Sequence, residues 1–322
     1  RSELLDAPSF WKLFISAYRP VLLRGGASAF TDLDGWSDEG LLSTLDSGFQ
    51  KCKLKNGEPW QVIVEKQNRV THNDRHPILD GWNFCKYLEE SVKPEYENQL
   101  YCITSITEDK TSPLPSFLSL PEFLACEGLY NSMHGVRMWM SRGNTTSSQH
   151  FDTHDNIIFQ VDGEKDIFLA HPNESSKMYM DHFEKFGLSP INVDRVDLQR
   201  FPRFAEAKLY HVRLAKGDAL YIPDGWWHVI RSHHRNIGLA LEFVPRRQKA
   251  PWPEELMFLR DHPGLFWAEK HRLTSTMNEV AAQSISPNPR MKAKAECDEA
   301  IPKRMRPYNL AEYSGWHGPR YN

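Results

Sequence analysis

No two cysteines in this chain stand at CxxC spacing. The five present (Cys52, Cys85, Cys102, Cys126 and Cys297) are scattered and odd in number. That argues against a disulfide framework or a zinc–thiolate site and makes a reducing compartment the default. Missing too is any apolar run long enough to span a bilayer, and the start carries no secretory signal. The expectation is therefore an intracellular setting, cytoplasmic or nuclear, with no membrane partner. The first residue is Arg1 rather than Met, so a leader or further domain is expected to precede it. A surplus of basic charge is absent as well: the formal net charge is -3, and no global field advertises nucleic acid. Internal repeats and low-complexity tracts are not found.

What is present suits an ordinary soluble globular protein. Of 322 residues, 40% are hydrophobic and 25% charged, enough apolar material for a sizeable core in two average domains or one large single-sheet domain with extensions. The ten tryptophans and 12% aromatic content suit a β-rich core or a cleft with flat walls.

Along the chain, Ala7, Phe10, Trp11, Phe14 and Ile15 recur at helical spacing before Pro20, so residues 1–20 read as a helix. A short buried strand, "PVLLRG", follows. Ser37 ahead of Asp38 and Glu39 reads as an N-cap with first-turn acids. Strands are expected at 60–66 and 99–106, and helices at 82–92 and 118–130. From Val136 the pattern turns to β. "NIIFQV" and "KDIFLAH" flank Asp162-Gly163, a hairpin signal, and "KLYHVRL" and "DALYIP" flank Lys216-Gly217, which reads as a second hairpin. "WHVIRS" (227–232) and "IGLALEFV" (237–244) complete the series. Short strands at this spacing suggest a β-sandwich or barrel. An insert near 172–207, with a helix expected at "ESSKMYMDHF", separates the two strand pairs. The expected layout is a helical or mixed lead-in over 1–99 packed on the barrel, a β core over 100–244, and a helical extension over 245–322.

Metal-binding side chains gather in "QHFDTHDNIIFQVDGEK" (149–165). On an extended segment His150 and Asp152 share a face, and two histidines with one carboxylate make a facial triad that leaves open positions on iron. The third ligand is His154, next on the same face, or the distant His228 in "YIPDGWWHVIRS". Three consecutive same-face ligands on a straight strand lie in a row, about 6.6 Å apart. A triad needs them to converge, which favours His228. An HxD pair alone recurs by chance among fourteen histidines; the similar strand pairs beside His150 and His228 give it weight. Lys165 shares a face with Ile167 and Leu169. If that face lines a barrel, its ammonium is buried and needs an anion; otherwise it flanks the turn in solvent. Trp226 and Trp227 read as core filling for at least one of the pair, the other offering a cleft wall. The basic residues Arg290, Lys292, Lys294, Lys303, Arg304 and Arg306 are interrupted by acids and read as a solvated tail.

Taken together, "TTSSQHFDTHDNIIFQVDGEKDIFLAHP", "VDRVDLQRFPRF" and "LAKGDALYIPDGWWHVI" resemble the JmjC family of Fe(II)- and 2-oxoglutarate-dependent oxygenases. The likeness is to its small hydroxylase branch, which includes asparaginyl and tRNA wybutosine hydroxylases, and it covers about residues 136–244. The lead-in "FWKLFISAYRPVLLRGGASAF" is similar to the start of that branch. The resemblance implies a mainly β fold with flanking helices, a double-stranded β-helix of jelly-roll, cupin-like type. It implies iron on His150, Asp152 and His228, with His154 behind the ligands or on the surface. It also implies 2-oxoglutarate bound by Lys165, Ser147, Tyr101 and Asn156, and O2 as the oxidant. One departure stands out: Glu242 occupies a place where several relatives have asparagine. An inward carboxylate there is unfavourable beside an anionic co-substrate unless protonated or paired. The implied activity is hydroxylation of a macromolecule, a protein side chain ahead of RNA. The alternatives are a tRNA-modifying hydroxylase, a histone N-methyl-lysine demethylase and, in another class, a non-catalytic metal-binding cupin scaffold. Relatives in this branch imply a homodimer paired through the C-terminal helices around Trp252, Leu256, Met257, Leu265 and Phe266.

Overall fold

The computed structural model describes residues 6–45, 59–67, 77–106, 118–130, 132–180 and 187–245. The expected C-terminal helical extension, the expected dimerisation through it and the basic tail fall outside the described residues, as do Cys52 and Cys297.

Among the described residues there are nine strands: β1 Val21–Leu23, β2 Ile63–Lys66, β3 Leu100–Ser105, β4 Met133–Ser141, β5 Thr145–Thr146, β6 Asp155–Ala170, β7 Tyr210–Ala215, β8 Ala219–Ile222 and β9 Trp227–Phe243. They pair in the order β1-β8-β6-β9-β4-β3-β2, with β5 joined to β9 and β7 to β6. All pairings are antiparallel. The two long strands β6 and β9 run side by side through both halves of the barrel. The first half of β6 also pairs with β8 and its second half with β7, so the sheet folds over where β6 bends. This is the double-stranded β-helix that the resemblance implies.

The two expected hairpins are corrected by this arrangement. Asp162-Gly163 is not a turn but an irregularity inside one continuous strand. Register shifts there, so that three residues of β9, 234–236, stand opposite Gly163. Gly163 has φ 67, and a Cβ on it would fall 2.2 Å from the Arg235 carbonyl oxygen. A glycine at positive φ serves a bulge as well as a hairpin turn, and only the continuous partner strand decides which. The strands flanking Lys216-Gly217 do not pair with each other either. Both pair with β6, and the turn hands the chain from one half of the barrel to the other.

Helices are shorter than the periodicity suggests. α1 (Ala7–Phe10), capped by the Asp6 carboxylate on the Ser9 amide, continues only as a π turn over Trp11–Ile15. α2 spans Gly26–Phe30, and α3 spans Asp38–Leu45 with the Ser37 hydroxyl accepting from the Gly40 amide. α4 is Phe84–Glu90. The stretch 118–130 breaks into a 3-10 turn, Glu122–Leu124, and α5, Glu127–Tyr130. In the insert, Pro172–Lys177 is a 3-10 helix; the expected helix there extends outside the described residues.

Strand alternation splits the apolar residues of the main strands between an outer and an inner core. Phe10, Trp11, Phe30 and Trp36 of the lead-in cover the outer face of the main sheet, against Ile157, Phe159, Leu239 and Leu241. Phe30 stacks on Phe159 with ring centroids 4.0 Å apart. The opposite face, with Ile158, Ile167, Leu169, Leu220 and Ile222, fills the barrel. An ion network fastens lead-in to barrel: Asp38 meets Arg142 and Arg235, and Arg235 also reaches Asp162 and donates to the Trp36 carbonyl. Burial alone would raise the Asp38 carboxyl, but hydrogen bonds from Arg142 and Arg235 hold it below the usual value.

Cys85 and Cys126 each take part in a disulfide, whereas Cys102 is a buried thiol. Scattered spacing gave no sign of this, because tertiary structure, not sequence distance, brings sulfurs together. No helix among the described residues is long and apolar enough to cross a membrane.

Candidate metal centre

The segment entering β6 is pinned on both sides. His150 forms antiparallel bridges with Leu188 of the insert and with His228 at the start of β9. The amide of Gly225, in the turn before β9 and at φ 76, donates to the Asp152 carbonyl at 2.8 Å. These bonds bring two histidines from distant parts of the chain onto one carboxylate.

One ligand atom each of His150, Asp152 and His228 lies within 4.8 Å of the other two. His228 Nε2 is 3.5 Å from Asp152 Oδ2, and His150 Nε2 is 4.0 Å from Oδ1. Their other ring nitrogens face carbonyls: His150 Nδ1 is 2.7 Å from the Ser148 oxygen and His228 Nδ1 is 2.9 Å from that of Trp226. A carbonyl only accepts, so each Nδ1 carries the hydrogen and each Nε2 presents a lone pair toward Asp152. Such orientation of the far ring nitrogen is how metal-binding histidines are normally held.

His154 is buried and stands behind the three. Its Nε2 is 3.9 Å from Asp152 Oδ2 and 3.8 Å from Glu242 Oε1. Glu242 does turn into the barrel, sharing a face with Ala240 and Gly238, but Arg137 of β4 pairs with it at 3.4 Å, both side chains being buried. Close by, burial lowers His134 to about 3, with His154 and Arg137 adding to the shift.

The expected co-substrate residues gather along the same interior. Lys165 is 2% exposed and donates to the Ser232 hydroxyl at 2.8 Å. No carboxylate among the described residues pairs with it. Burial lowers its ammonium to about 7. Its Nζ lies 5.8 Å from the centroid of Tyr101, whose phenol burial pushes up while a hydrogen bond to Ser232 pulls it down. In register, Lys165 faces Ser232 and Leu169 faces His228, so Lys165 and His228 lie on one face of the β6–β9 ladder. Ser147 is bound to the same strand: its amide donates to the Ile230 carbonyl and its Oγ accepts from the Ile230 amide, both at 2.9 Å. Asn156 is buried and faces Glu242 across the ladder.

Sequence reasoning missed Ser232 and Arg137. Alternation from His228 through Ile230 points at Ser232, and an arginine within the apolar strand "VRMWMSR" signals a buried partner. Both tryptophans proved to be packing residues. Trp227 is fully buried in the core of the insert and donates to Ser175 Oγ at 2.8 Å, while Trp226 joins the barrel core and donates to the Tyr18 carbonyl.

The cupin-like domain family matches residues 7–244. The chain is 34% identical over 251 residues to Jumonji C domain-containing protein 5 of Drosophila melanogaster, covering 73% of this chain and 58% of that protein. It is 25% identical over 186 residues to tRNA wybutosine-synthesizing protein 5 of Gallus gallus, covering 56% and 52%. With lysine-specific demethylase 8 of Xenopus tropicalis it shares 25% over 222 residues, covering 68% and 46%. Among solved structures, the ribosomal oxygenase YcfD of Escherichia coli aligns at a TM-score of 0.46 and 16% identity, covering 94% of this chain and 63% of that one. The chain spans about half the length of the curated relatives it matches.

Proposed function

The chain belongs to the cupin-like domain family, and on that premise we propose that it is an Fe(II)- and 2-oxoglutarate-dependent oxygenase that hydroxylates a macromolecular substrate. The observation that carries the reading is a pair of features on one face of the barrel. A cluster of two histidines and one carboxylate shares that face with a buried lysine that has no carboxylate partner among the described residues. A dicarboxylate that reaches from the metal to the lysine accounts for both.

The donor set fits iron: two imidazoles with oriented Nε2 atoms and one carboxylate, a three-ligand arrangement that leaves positions open. His150, Asp152 and His228 would hold Fe(II), which when bound supplies the oxygen chemistry. Lys165 would take the far carboxylate of 2-oxoglutarate in a charge-assisted hydrogen bond, with the hydroxyls of Ser232, Tyr101 and Ser147 alongside. Asn156 would stand nearer the metal. Ile158, Ile167, Leu169 and Ile230 keep that end of the barrel apolar, so the lysine acts in a medium where its charge is felt strongly. The Arg137 guanidinium neutralises Glu242, so the inward glutamate does not oppose an anionic co-substrate. A metal-binding scaffold without a co-substrate would leave Lys165 with no counter-ion among the described residues.

A protein side chain is favoured as the substrate. The chain's formal charge of -3 offers little for the phosphate neutralisation on which RNA affinity rests.

The test is succinate formation from 2-oxoglutarate in the presence of Fe(II) and ascorbate. Turnover by the native protein that vanishes in His228→Ala and falls in Lys165→Ala supports the oxygenase. Failure of 2-oxoglutarate to bind the metal-loaded protein in a direct titration overturns it.

A further inference from the structure

Three residues beyond Asp152, a second aspartate is buried without being part of the cluster. Asp155 opens β6 and is fully inaccessible to solvent. Both of its oxygens are engaged. Tyr221 of β8 donates its hydroxyl to Oδ2 at 2.6 Å, and the backbone amide of Asp224 donates to Oδ1 at 3.0 Å. A buried carboxylate is costly unless hydrogen-bonded, so the place of these bonds shows what the group is there to hold.

That place is the point where backbone pairing ends. The ladder between β6 and β8 stops at Asn156 and Ile222. Beyond it the chains are joined first by the Asp155 side chain on the Asp224 amide, then by the Asp152 carbonyl on the Gly225 amide. The turn so gripped runs directly into Trp226, whose carbonyl orients the His228 ring, and then into His228 itself. We infer that Asp155 is a positioning residue: its carboxylate fixes the 223–226 turn against the strand that carries Asp152, and so sets His228 relative to the other two ligands. The inference rests on reading His150, Asp152 and His228 as the ligand set.

Co(II) is the probe metal, titrated into the metal-free protein and followed by its d–d absorption. Asp155→Ala is expected to weaken Co(II) binding about ten-fold, as removal of outer partners of metal ligands does, and to change the band shape. Asp155→Asn is expected to bind within about three-fold of native. Its amide can accept from the Asp224 amide and donate to the Tyr221 oxygen. Tyr221→Phe, which removes one of the two bonds, should fall between. Asp38→Ala, which breaks the remote ion network, should lower the melting temperature and leave Co(II) affinity and spectrum as in the native protein. Native affinity and band shape in Asp155→Ala overturn the inference. So does a loss in Asp38→Ala that matches it at equal destabilisation. Should Asp155→Ala not fold, Tyr221→Phe decides: an unchanged spectrum and affinity there overturn the inference. His228→Ala separates the two levels, because Co(II) binding unaffected by that change refutes the ligand set itself.

Discussion

His150 and His228 exchange both backbone hydrogen bonds across an antiparallel bridge, His150 donating at 3.0 Å and His228 at 2.6 Å. Two side chains of a candidate metal centre thus spring from one hydrogen-bonded residue pair, the wider of the two pair types in an antiparallel ladder. The main chain sets the spacing of their Cα atoms, and the Ser148 and Trp226 carbonyls orient the rings.

Replacing either imidazole should therefore remove a ligand without moving the other. His150→Gln and His228→Gln are each expected to reduce Co(II) affinity by at least ten-fold, while the metal-free proteins melt within a few degrees of native. Paired Co(II) titrations and circular dichroism melts check this; a collapse of the fold in both variants would contradict it.

Lys165 predicts a pH dependence. Its folded value of about 7 lies below the ordinary 10.5, so between those limits the unfolded chain holds a proton that the native state has released. Stability contributed through this group rises with pH across that window, and its penalty is fully present below pH 7. Lys165→Met removes the buried charge. Metal-free Lys165→Met should melt higher than native protein at pH 6, and the gap should close toward pH 10. Calorimetry at a series of pH values reads this directly, and a gap independent of pH would refute it.

Gly238 is expected to guard the same lysine. A Cβ placed there would sit 3.0 Å from Lys165 Cε and 3.4 Å from Gln160 Oε1. Gly238→Ala should push the ammonium aside and weaken 2-oxoglutarate binding several-fold, with Co(II) affinity unchanged. Isothermal titration with each ligand in turn separates the two effects.

The Arg137–Glu242 pair should behave as a buried ion pair. Arg137→Met alone leaves a carboxylate uncompensated and is expected to cost about 3–5 kcal/mol. Adding Glu242→Leu should recover much of that loss, since well-packed apolar residues often replace such pairs without penalty. Urea denaturation of the single and double variants measures both quantities.

The main strands, and the residues that come together as a candidate cluster, could be read from the sequence because each starts from a local pattern. Alternation put His150 and Asp152 on one face, and the need for convergence pointed to His228. What could not be read depends on partners. The Asp162-Gly163 step suits a tight hairpin turn, and only the unbroken run of β9 beside it makes it a bulge. Glu242 looked like a defect because its neutralising arginine lies on another strand. Likewise Lys165 could be placed inside or outside only once its register with Ser232 was known. The helices are shorter than the periodicity suggests for a similar reason: apolar periodicity in the lead-in marks the residues that cover the sheet, and covering a sheet needs only single turns.

Phe151 and Trp227, next in sequence to His150 and His228, turn away from the candidate cluster and meet edge to face at 4.9 Å in the core of the insert. The insert also hydrogen-bonds to the His150 segment, through the Phe151 amide on the Gly187 carbonyl and the Ser189 amide on the Gln149 carbonyl. The insert is thus part of the frame of the candidate cluster: a change among Met178, Tyr179, Ile191 or Phe201 would loosen the backbone that carries His150 and His228, although none of the four belongs to the cluster itself.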